Sequence, residues 1–409
     1  MKTIYIKYSL FLLVMYIYLY NPIFQFLDFG MIKIVLLLSI IYIVIHKKTI
    51  LFITIFSKEI LFTLILTIYS SIAVFSGNGT AFAVPYTHIV WFLECFVIPF
   101  FFMLFFKNIF QERSWESIIV HTGLIASLIT FFLILNPDFN SFIRDSVIRD
   151  PLTNISDKII LFRGFTIAEN STFSFGVVQG IILSICIISL QKNYLYAIPI
   201  IFLFISILFN ARIGLVITSI AIVLLLLSKK IKTKHILIFG SVLYFGYLFL
   251  FKSNFAQNNL ESLKWGFSFF EDSFMFINGH DRQYSNFSVL NDMVNYPPTI
   301  IGIIFGDGRT VLGEYKGSDI GYINQIFIGG LFYLLIMLSF MFYMFTKNIK
   351  YSTNKTFSIL FFLTLLIVNF KGDALFVSNG FFRLIASYYV YCILTKRTNN
   401  FCTINENTM

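Results

Sequence analysis

The residues best suited to chemistry in this chain are arginines that lie between long apolar runs. Arg212 occupies a very short connection, Asn210-Ala-Arg-Ile-Gly-Leu215, between the apolar runs Tyr196–Phe209 and Ile213–Leu227. A charge at membrane depth costs roughly 2.5–3.5 kcal/mol, so such residues usually mark a working site. Arginine presents a planar fork of donors that binds phosphate in a bidentate manner and stays charged at physiological pH. The residue type therefore predicts a site for a phosphorylated ligand.

The composition indicates the class of protein in which this site must be built. Hydrophobic residues make up 58% of the chain and charged residues 12%, and the mean hydropathy is +0.83. These values exclude a soluble globular domain and predict an all-α polytopic membrane protein with about twelve transmembrane helices. The predicted spans are Ile4–Phe24, Met31–Ile45, Ile60–Phe75, Ile89–Phe106, Ser117–Leu135, Thr172–Leu190, Leu195–Phe209, Ile213–Leu227, His235–Phe251, Gly321–Phe345, Thr356–Phe370 and Gly380–Leu394.

The distribution of cations orients these spans. Lysines alternate along the chain so that the positive-inside rule places both termini in the cytoplasm. The net charge of +10 therefore reflects topology rather than nucleic-acid binding. The predicted organisation is residues 1–251 with nine spans and a polar outer loop at 136–171, a large outer loop at 252–320, and residues 321–409 with three spans and a cytoplasmic tail. Seven of the nine arginines fall on the outer side, namely Arg144, Arg149, Arg163, Arg212, Arg282, Arg309 and Arg383.

Polar residues are concentrated in the two long outer segments and in the Arg212 connection. Turn-forming residues alternate there with aromatic stretches, which predicts a folded cap of short amphipathic helices rather than a disordered tether. Four motifs in these segments carry arginines or acids: Arg163-Gly-Phe-Thr-Ile-Ala-Glu-Asn170, Gly279-His-Asp-Arg-Gln-Tyr284, Phe305-Gly-Asp-Gly-Arg309 and Ser318-Asp-Ile-Gly-Tyr-Ile-Asn324.

In this order, the motifs resemble those of the Wzy-type polysaccharide polymerases of the O-antigen ligase/polymerase superfamily. The resemblance covers roughly Leu161 to Leu335, together with the overall hydropathy. It implies a GT-C-like glycosyltransferase that joins undecaprenyl-diphosphate-linked oligosaccharide units into the O-antigen of lipopolysaccharide or into capsular polysaccharide. The reaction would take place at the periplasmic face of the bacterial inner membrane. The implied partners are the lipid-linked oligosaccharide, the bilayer, and a chain-length regulator and a flippase.

The resemblance also assigns residues. Arg212 matches the arginine of the short connection, Arg282 the arginine of the large loop, and Arg163 the arginine that precedes a glycine. Ligases of the superfamily commonly carry a histidine near the end of the large loop. This chain has Asp319 there, and its only loop histidine, His280, lies much earlier. The departure favours a polymerase over a ligase and leaves the identity of a catalytic base open.

The chemistry of the transfer gives each residue type a role. A lipid diphosphate that leaves carries negative charge, and the acceptor hydroxyl must lose a proton. The loops hold no convincing set of metal ligands, so we expect a metal-independent enzyme without a cofactor. The predicted diphosphate-binding residues are Arg163, Arg212, Arg282 and Arg309. The predicted catalytic residues are Arg212, Arg282, Asp319 and Glu169, and for the two carboxylates a helix cap or a loop salt bridge is the alternative.

Two further features and two other functions remain open. Glu94 is an acid inside a predicted span, and Lys371, Asp373 and Arg383 form an outer cluster that completes the site or anchors the interface. An O-antigen ligase would transfer polymer to the lipid A core. A lipid-linked oligosaccharide flippase would carry charged residues within its spans around a central cavity, and would have short outer loops. The charges here gather in long outer loops instead.

Overall fold

The computed structural model describes residues 2–27, 29–77, 79–147, 164–169, 173–191, 193–228, 293–311 and 318–406. Within these ranges the chain is helical, with two isolated bridge pairs and no strand. The prediction of an all-α protein is therefore confirmed. The predicted span His235–Phe251 lies outside the described residues, and each of the other predicted spans overlaps a helix.

The helices follow the apolar runs closely. Two short helices, Pro137–Ser146 and Ile300–Phe305, lie in the segments for which a cap of short helices is predicted. The described helices are α1 (Lys2–Tyr20), α2 (Ile32–Ile45), α3 (Thr49–Ser76), α4 (Val84–Phe105), α5 (Lys107–Glu112), α6 (Trp115–Leu135), α7 (Pro137–Ser146), α8 (Ser174–Ser189), α9 (Ala197–Asn210), α10 (Ile213–Leu227), α11 (Ile300–Phe305), α12 (Gly321–Tyr351), α13 (Lys355–Val368) and α14 (Gly380–Glu406).

Several of these helices have the dimensions of membrane spans. Among the described residues, α3, α4, α6 and α12 are both long enough and apolar enough to cross a bilayer. The helices α1, α2, α8, α9, α10 and α13 are apolar but shorter. A span needs about 20 apolar residues, so the long helices indicate a membrane-embedded protein. The number of twelve spans stays a prediction.

The helices pack into two units. Unit 1 comprises Met1–Met31 and Glu116–Val289, and unit 2 comprises Ile32–Trp115 and Leu290–Met409. Each unit therefore combines an early and a late segment of the chain. The predicted boundaries at residues 251 and 320 separate membrane spans from an outer loop, which is a question of topology, and they stay a prediction.

In unit 1, close packing of the helices fixes the connection between α9 and α10, which carries Arg212. Helix α8 is buried along its whole length against α9 and α10. A Cβ atom at Gly180 would lie 2.5 Å from the Gly214 carbonyl oxygen, and one at Gly176 would lie 2.5 Å from that of Ala211. Small residues let membrane helices approach at this distance. The backbone just before Arg212 is therefore held against α8.

In unit 2, α12 is interrupted near its start and receives the preceding segment there. Gly330 has a φ of +71° and leaves the helical conformation, which frees carbonyl groups of the preceding turn. One of these, on Phe327, accepts a hydrogen bond from the Asp307 N–H at 2.9 Å. Glycine is required because a Cβ atom at residue 330 would lie 2.3 Å from the Ile304 carbonyl carbon. Irregular backbone of this kind is tolerated in membrane proteins where it is buried in protein.

The connections that the lysine pattern places outside meet at one end of unit 2. The Ala81 N–H, before α4, donates to the Gly308 carbonyl at 3.1 Å. A Cβ atom at Gly321, at the start of α12, would lie 2.5 Å from the Gly372 carbonyl oxygen between α13 and α14. The segments before α4, before α12 and before α14 are thus neighbours. We call this region the α12 amino end of unit 2.

Candidate functional site

Arg212 occupies the N-cap position of α10. Helix α9 ends at Asn210 and α10 begins at Ile213, so two residues connect them. No side chain caps α10, and Arg212 is partly buried. The amino end of a helix carries partial positive charge and attracts anions. The carboxyl end of α9 offsets part of this charge, and the guanidinium adds to it, which makes the position suitable for an anionic ligand.

Glu169 reaches the same end of unit 1 through the short described segment that precedes α8. Its backbone N–H donates to the Tyr20 carbonyl at 2.9 Å, and its Oε2 accepts from Asn21 Nδ2. In the same segment, the ring of Phe165 packs edge-on against Phe209 of α9, with centroids 5.9 Å apart. The segment therefore ties the end of α1 to the end of α9. These contacts agree with the loop-anchoring alternative for Glu169, and its catalytic role stays a prediction.

The predicted site residues are divided between the two units. Unit 1 holds Arg212 and Glu169, unit 2 holds Arg309 and Asp319, and Arg163 and Arg282 lie outside the described residues. Within each unit the described pair lies toward one end of the helices. The catalytic and diphosphate-binding assignments of all six residues stay predictions.

Arg309 and Asp319 both lie near the α12 amino end of unit 2. The Arg309 side chain is exposed, and its guanidinium carbon lies 5.1 Å from the centroid of the Phe327 ring. A cation–π contact of this kind orients the side chain and leaves its donors accessible. Asp319 is partly buried and precedes Ile320, the N-cap residue of α12, which has no side-chain cap. Asp319 therefore does not occupy the capping position.

A polar network surrounds the carboxylate of Asp373 in the connection between α13 and α14. Its Oδ2 accepts from Asn324 Nδ2 and its Oδ1 from Gln325 Nε2, both at 2.9 Å. The amides of Gln325 and Asn369 exchange two hydrogen bonds of 3.2 Å. Two amides of α12 thus hold one carboxylate, and the amide of Asn369, just after α13, holds Gln325 in turn. We call this group the Asp373 amide cradle.

The orientation of the cradle is fixed by a second layer of contacts. Oδ1 of Asn324 accepts from Thr310 Oγ1 and from the Val311 N–H, both at 3.0 Å. The side-chain oxygen of Gln325 is likewise occupied by a hydrogen bond. Because the oxygen of each amide is engaged, its NH₂ group faces Asp373. The donors are therefore in place before any ligand arrives.

The environment of Asp373 changes its acidity. Burial raises the pKa of this carboxyl group to about 6, although hydrogen bonds from Gln325 and Asn324 oppose the rise. Desolvation disfavours the charged form of an acid, which explains the direction. A group with a pKa near 6 is mostly ionised at pH 7 and still accepts a proton effectively. The cradle can therefore hold a base.

Unit 2 also contains two ion pairs buried among its helices. Glu94, in the π-helical turn Leu93–Val97 of α4, lies 3.1 Å from Arg383 Nη1. Glu59 of α3 lies 2.5 Å from Lys347 Nζ of α12. Charged groups in apolar helices are costly and are kept mainly where they pair or serve a function. These pairs show that the charges of unit 2 are not confined to its loops.

The predicted outer cluster is divided by the structure. Arg383 is 1% exposed and pairs with Glu94, so it is not accessible to a ligand in solution. Asp373 is partly buried in the amide cradle, and Lys371 is exposed. The three residues therefore do not act as one group, and only Asp373 has the surroundings of a site residue.

The amides of the cradle and the Glu59 ion pair were not identified from the sequence. Asn324 closes the motif that begins at Ser318, so a signal was present in the sequence, but an amide in a motif does not reveal its partner. Gln325 and Asn369 carry no such signal. Glu59 was not identified because the predicted span begins one residue after it. The prediction therefore places this buried acid in a loop.

Comparisons with known proteins and the search for metal ligands add no assignment. The described residues contain no group of three or more His, Cys, Asp or Glu side chains arranged to hold a metal ion. Comparison of the chain with protein-family models, with curated proteins and with solved structures gives no significant match. The resemblance to Wzy-type polymerases therefore depends on the sequence motifs alone.

Proposed function

We propose that this protein is a membrane-embedded glycosyltransferase that polymerises undecaprenyl-diphosphate-linked oligosaccharide units. The observation that carries the proposal is the position of Arg212 at the N-cap of α10, between two apolar helices. A lipid-linked diphosphate presents its charged group at the membrane surface, where the short connection between two spans also lies. The apolar helices hold the protein in the membrane, and Arg212 binds the anionic group.

The chemistry of a diphosphate leaving group suits this position. Negative charge grows on the bridging oxygen as the bond to the sugar breaks, and donors already aimed at that charge lower the barrier. A guanidinium fork binds two phosphate oxygens at once, and the amino end of α10 adds its partial charge. Arg163, Arg282 and Arg309 belong to the same proposed diphosphate-binding set. The enzyme would then need neither a metal nor another cofactor.

The remaining parts of the proposal follow the sequence resemblance. The fold would be GT-C-like with about twelve spans, both termini would be cytoplasmic, and the reaction would occur at the periplasmic face of the inner membrane. Glu169 and Asp319 are the carboxylates proposed to position or deprotonate the acceptor. A flippase and a chain-length regulator would act with the enzyme, and the product would be O-antigen or capsular polysaccharide.

A flippase is the second candidate, and one observation favours it. A flippase is expected to carry charges within its spans, and the pairs Glu94–Arg383 and Glu59–Lys347 are buried in the helices of unit 2. A structural role explains both pairs equally well, because each buried charge lies next to an opposite charge. The ligase alternative gains no such support.

The state of the lipid carrier in cells that lack the protein separates these functions. We expect loss of a polymerase to leave single repeat units on the surface lipid, with no long polymer. Loss of a flippase would instead trap lipid-linked units on the cytoplasmic side, and loss of a ligase would leave polymer attached to its carrier. Mass analysis of the carrier lipid with sidedness labelling, with the intact gene restored as the control, distinguishes the three. Trapped or carrier-bound products would overturn the proposal.

A further inference from the structure

We propose that Asp373 binds the acceptor sugar hydroxyl and takes its proton during the transfer. The proposal rests on the proposed function. It assigns proton removal to Asp373 and leaves Glu169 and Asp319 the role of positioning the acceptor. It starts from the geometry of the Asp373 amide cradle, which no sequence motif predicts. The acids of the two buried ion pairs are held by cations, whereas Asp373, and likewise Glu169 in unit 1, accepts from side-chain amides.

The first step concerns the free capacity of the carboxylate. An ionised carboxylate offers about four lone-pair positions to donors. The cradle uses one donor on each oxygen, from Asn324 and Gln325. Asp373 keeps part of its surface exposed, although its carboxyl group lies in a buried environment that raises its pKa. The carboxylate is therefore oriented by two amides and still able to accept a hydroxyl.

The second step concerns charge. Glu94 and Glu59 each accept from a cation within hydrogen-bond distance, so their charge is already balanced inside the helices. Asp373 accepts from neutral amides instead. Within the part of the chain that the structure describes, burial and these two amides account for its acidity. Burial raises the pKa of Asp373 to about 6, which keeps it basic enough to take a proton.

Other ionisable groups lie around the cradle and bear on its pH response. Lys371 is exposed on the same connection, and Arg309 and Asp319 lie on the segments that lead into α12. Tyr333 of α12 contacts His88 Nε2 at 2.5 Å. Asp373 differs from these groups because the side-chain amides of Asn324 and Gln325 donate to it.

The third step is the reaction itself. The acceptor hydroxyl donates its proton to an Asp373 oxygen while its own oxygen forms a bond to the anomeric carbon of the donor sugar. The bond from that carbon to the diphosphate oxygen breaks, and its electron pair leaves with the lipid diphosphate. Asp373 then passes the proton to water, and the free carboxylate is restored. No oxidant, reductant or further reactant is required.

The test uses the full-length protein purified into lipid nanodiscs, with a synthetic undecaprenyl-diphosphate oligosaccharide as substrate. We expect Asp373→Asn to lower kcat by about 10²- to 10⁴-fold, the range for loss of a general base. We expect KM to change much less. The control is Lys371→Gln, an exposed neighbour outside the cradle, which should keep the activity of the intact protein.

The pH profile distinguishes a base from a structural clamp. We expect the activity of the intact protein to rise with pH through about 6, because the base must be ionised. Asn324→Leu removes one donor to the charged form, so it should move this inflection to higher pH. A structural role would lower the amount of folded protein and leave the inflection in place.

Each outcome decides a different claim. If the intact protein polymerises the substrate and Asp373→Asn is equally active, the inference is wrong and the proposed function stands. If the intact protein does not polymerise it, the proposed function falls. If Asp373→Asn does not accumulate, the inflection measured for Asn324→Leu decides, and an unchanged inflection contradicts the inference.

Discussion

The two units place their charged residues differently. In unit 2, Glu94 with Arg383 and Glu59 with Lys347 form pairs buried inside the helix bundle. In unit 1, the described candidates Arg212 and Glu169 lie at the ends of helices, where the chain leaves one apolar run and enters another. The two charges of a buried pair balance each other, whereas a charge at a helix end remains close to the membrane surface. We therefore propose that the helix ends bind the ligand and that the pairs hold the helices together.

Within unit 2, the carboxylates also differ in the groups that hold them. Its buried acids meet cations, but Asp373 at the α12 amino end meets the amides of Asn324 and Gln325. Amides orient a carboxylate without neutralising it. The position of a carboxylate in unit 2 therefore correlates with the kind of group from which it accepts hydrogen bonds.

The largest effect is expected from separating a buried pair. Arg383→Met leaves Glu94 charged without its cation, which should cost about 3–5 kcal/mol of unfolding free energy. Thermal unfolding of the purified protein in detergent measures the loss. The double variant Arg383→Met with Glu94→Gln is the control, and it should recover most of the stability because no charge remains buried.

The same double variant examines the flippase alternative. If the pair only stabilises packing, the double variant should also recover polymer in cells. A double variant that folds well but fails to move lipid-linked units across the membrane would assign the pair a transport role. If the Arg383→Met protein is as stable as the intact one, the pair Glu94–Arg383 does not hold the helices of unit 2 together, and the proposed difference between the two units is wrong.

A smaller effect is expected from the helix contact that positions Arg212. Gly180→Ala places a methyl group 2.5 Å from the Gly214 carbonyl oxygen, so α8 and α10 must move apart. Overpacking of this kind costs about 1–3 kcal/mol. Activity should fall with it, because the start of α10 is displaced. The control is Ser219→Ala on the exposed side of α10, which should change neither stability nor activity.

The smallest effect is expected from chelation. If arginines stabilise the leaving diphosphate, polymerisation by the purified protein should survive excess EDTA with little change in rate. The assay compares initial rates before chelation, after chelation and after a divalent ion is added back. Loss of activity that the ion restores would show that the arginines do not act alone.

The sequence predicted the helices well because apolar runs determine them. The run Ile213–Leu227 is α10 with the same bounds, and the prediction for Arg212 placed it in the connection where the structure shows it. Side-chain partners were beyond the sequence because they depend on packing between distant segments. Asn324 and Asp373 lie far apart in the chain, and Glu94 meets Arg383 only after α4 and α14 pack together.

Diphosphate binding by Arg212 is tested most directly by comparing arginine with lysine at position 212. Lysine keeps the cation, so it would still balance the carboxyl end of α9, but it lacks the fork that grips a diphosphate. The measurement is surface polymer length in cells that carry each variant at matched protein level. We predict that Arg212→Lys and Arg282→Lys lose most long polymer while Arg144→Lys is nearly silent. Full-length polymer from the Arg212→Lys variant would contradict diphosphate binding at this residue.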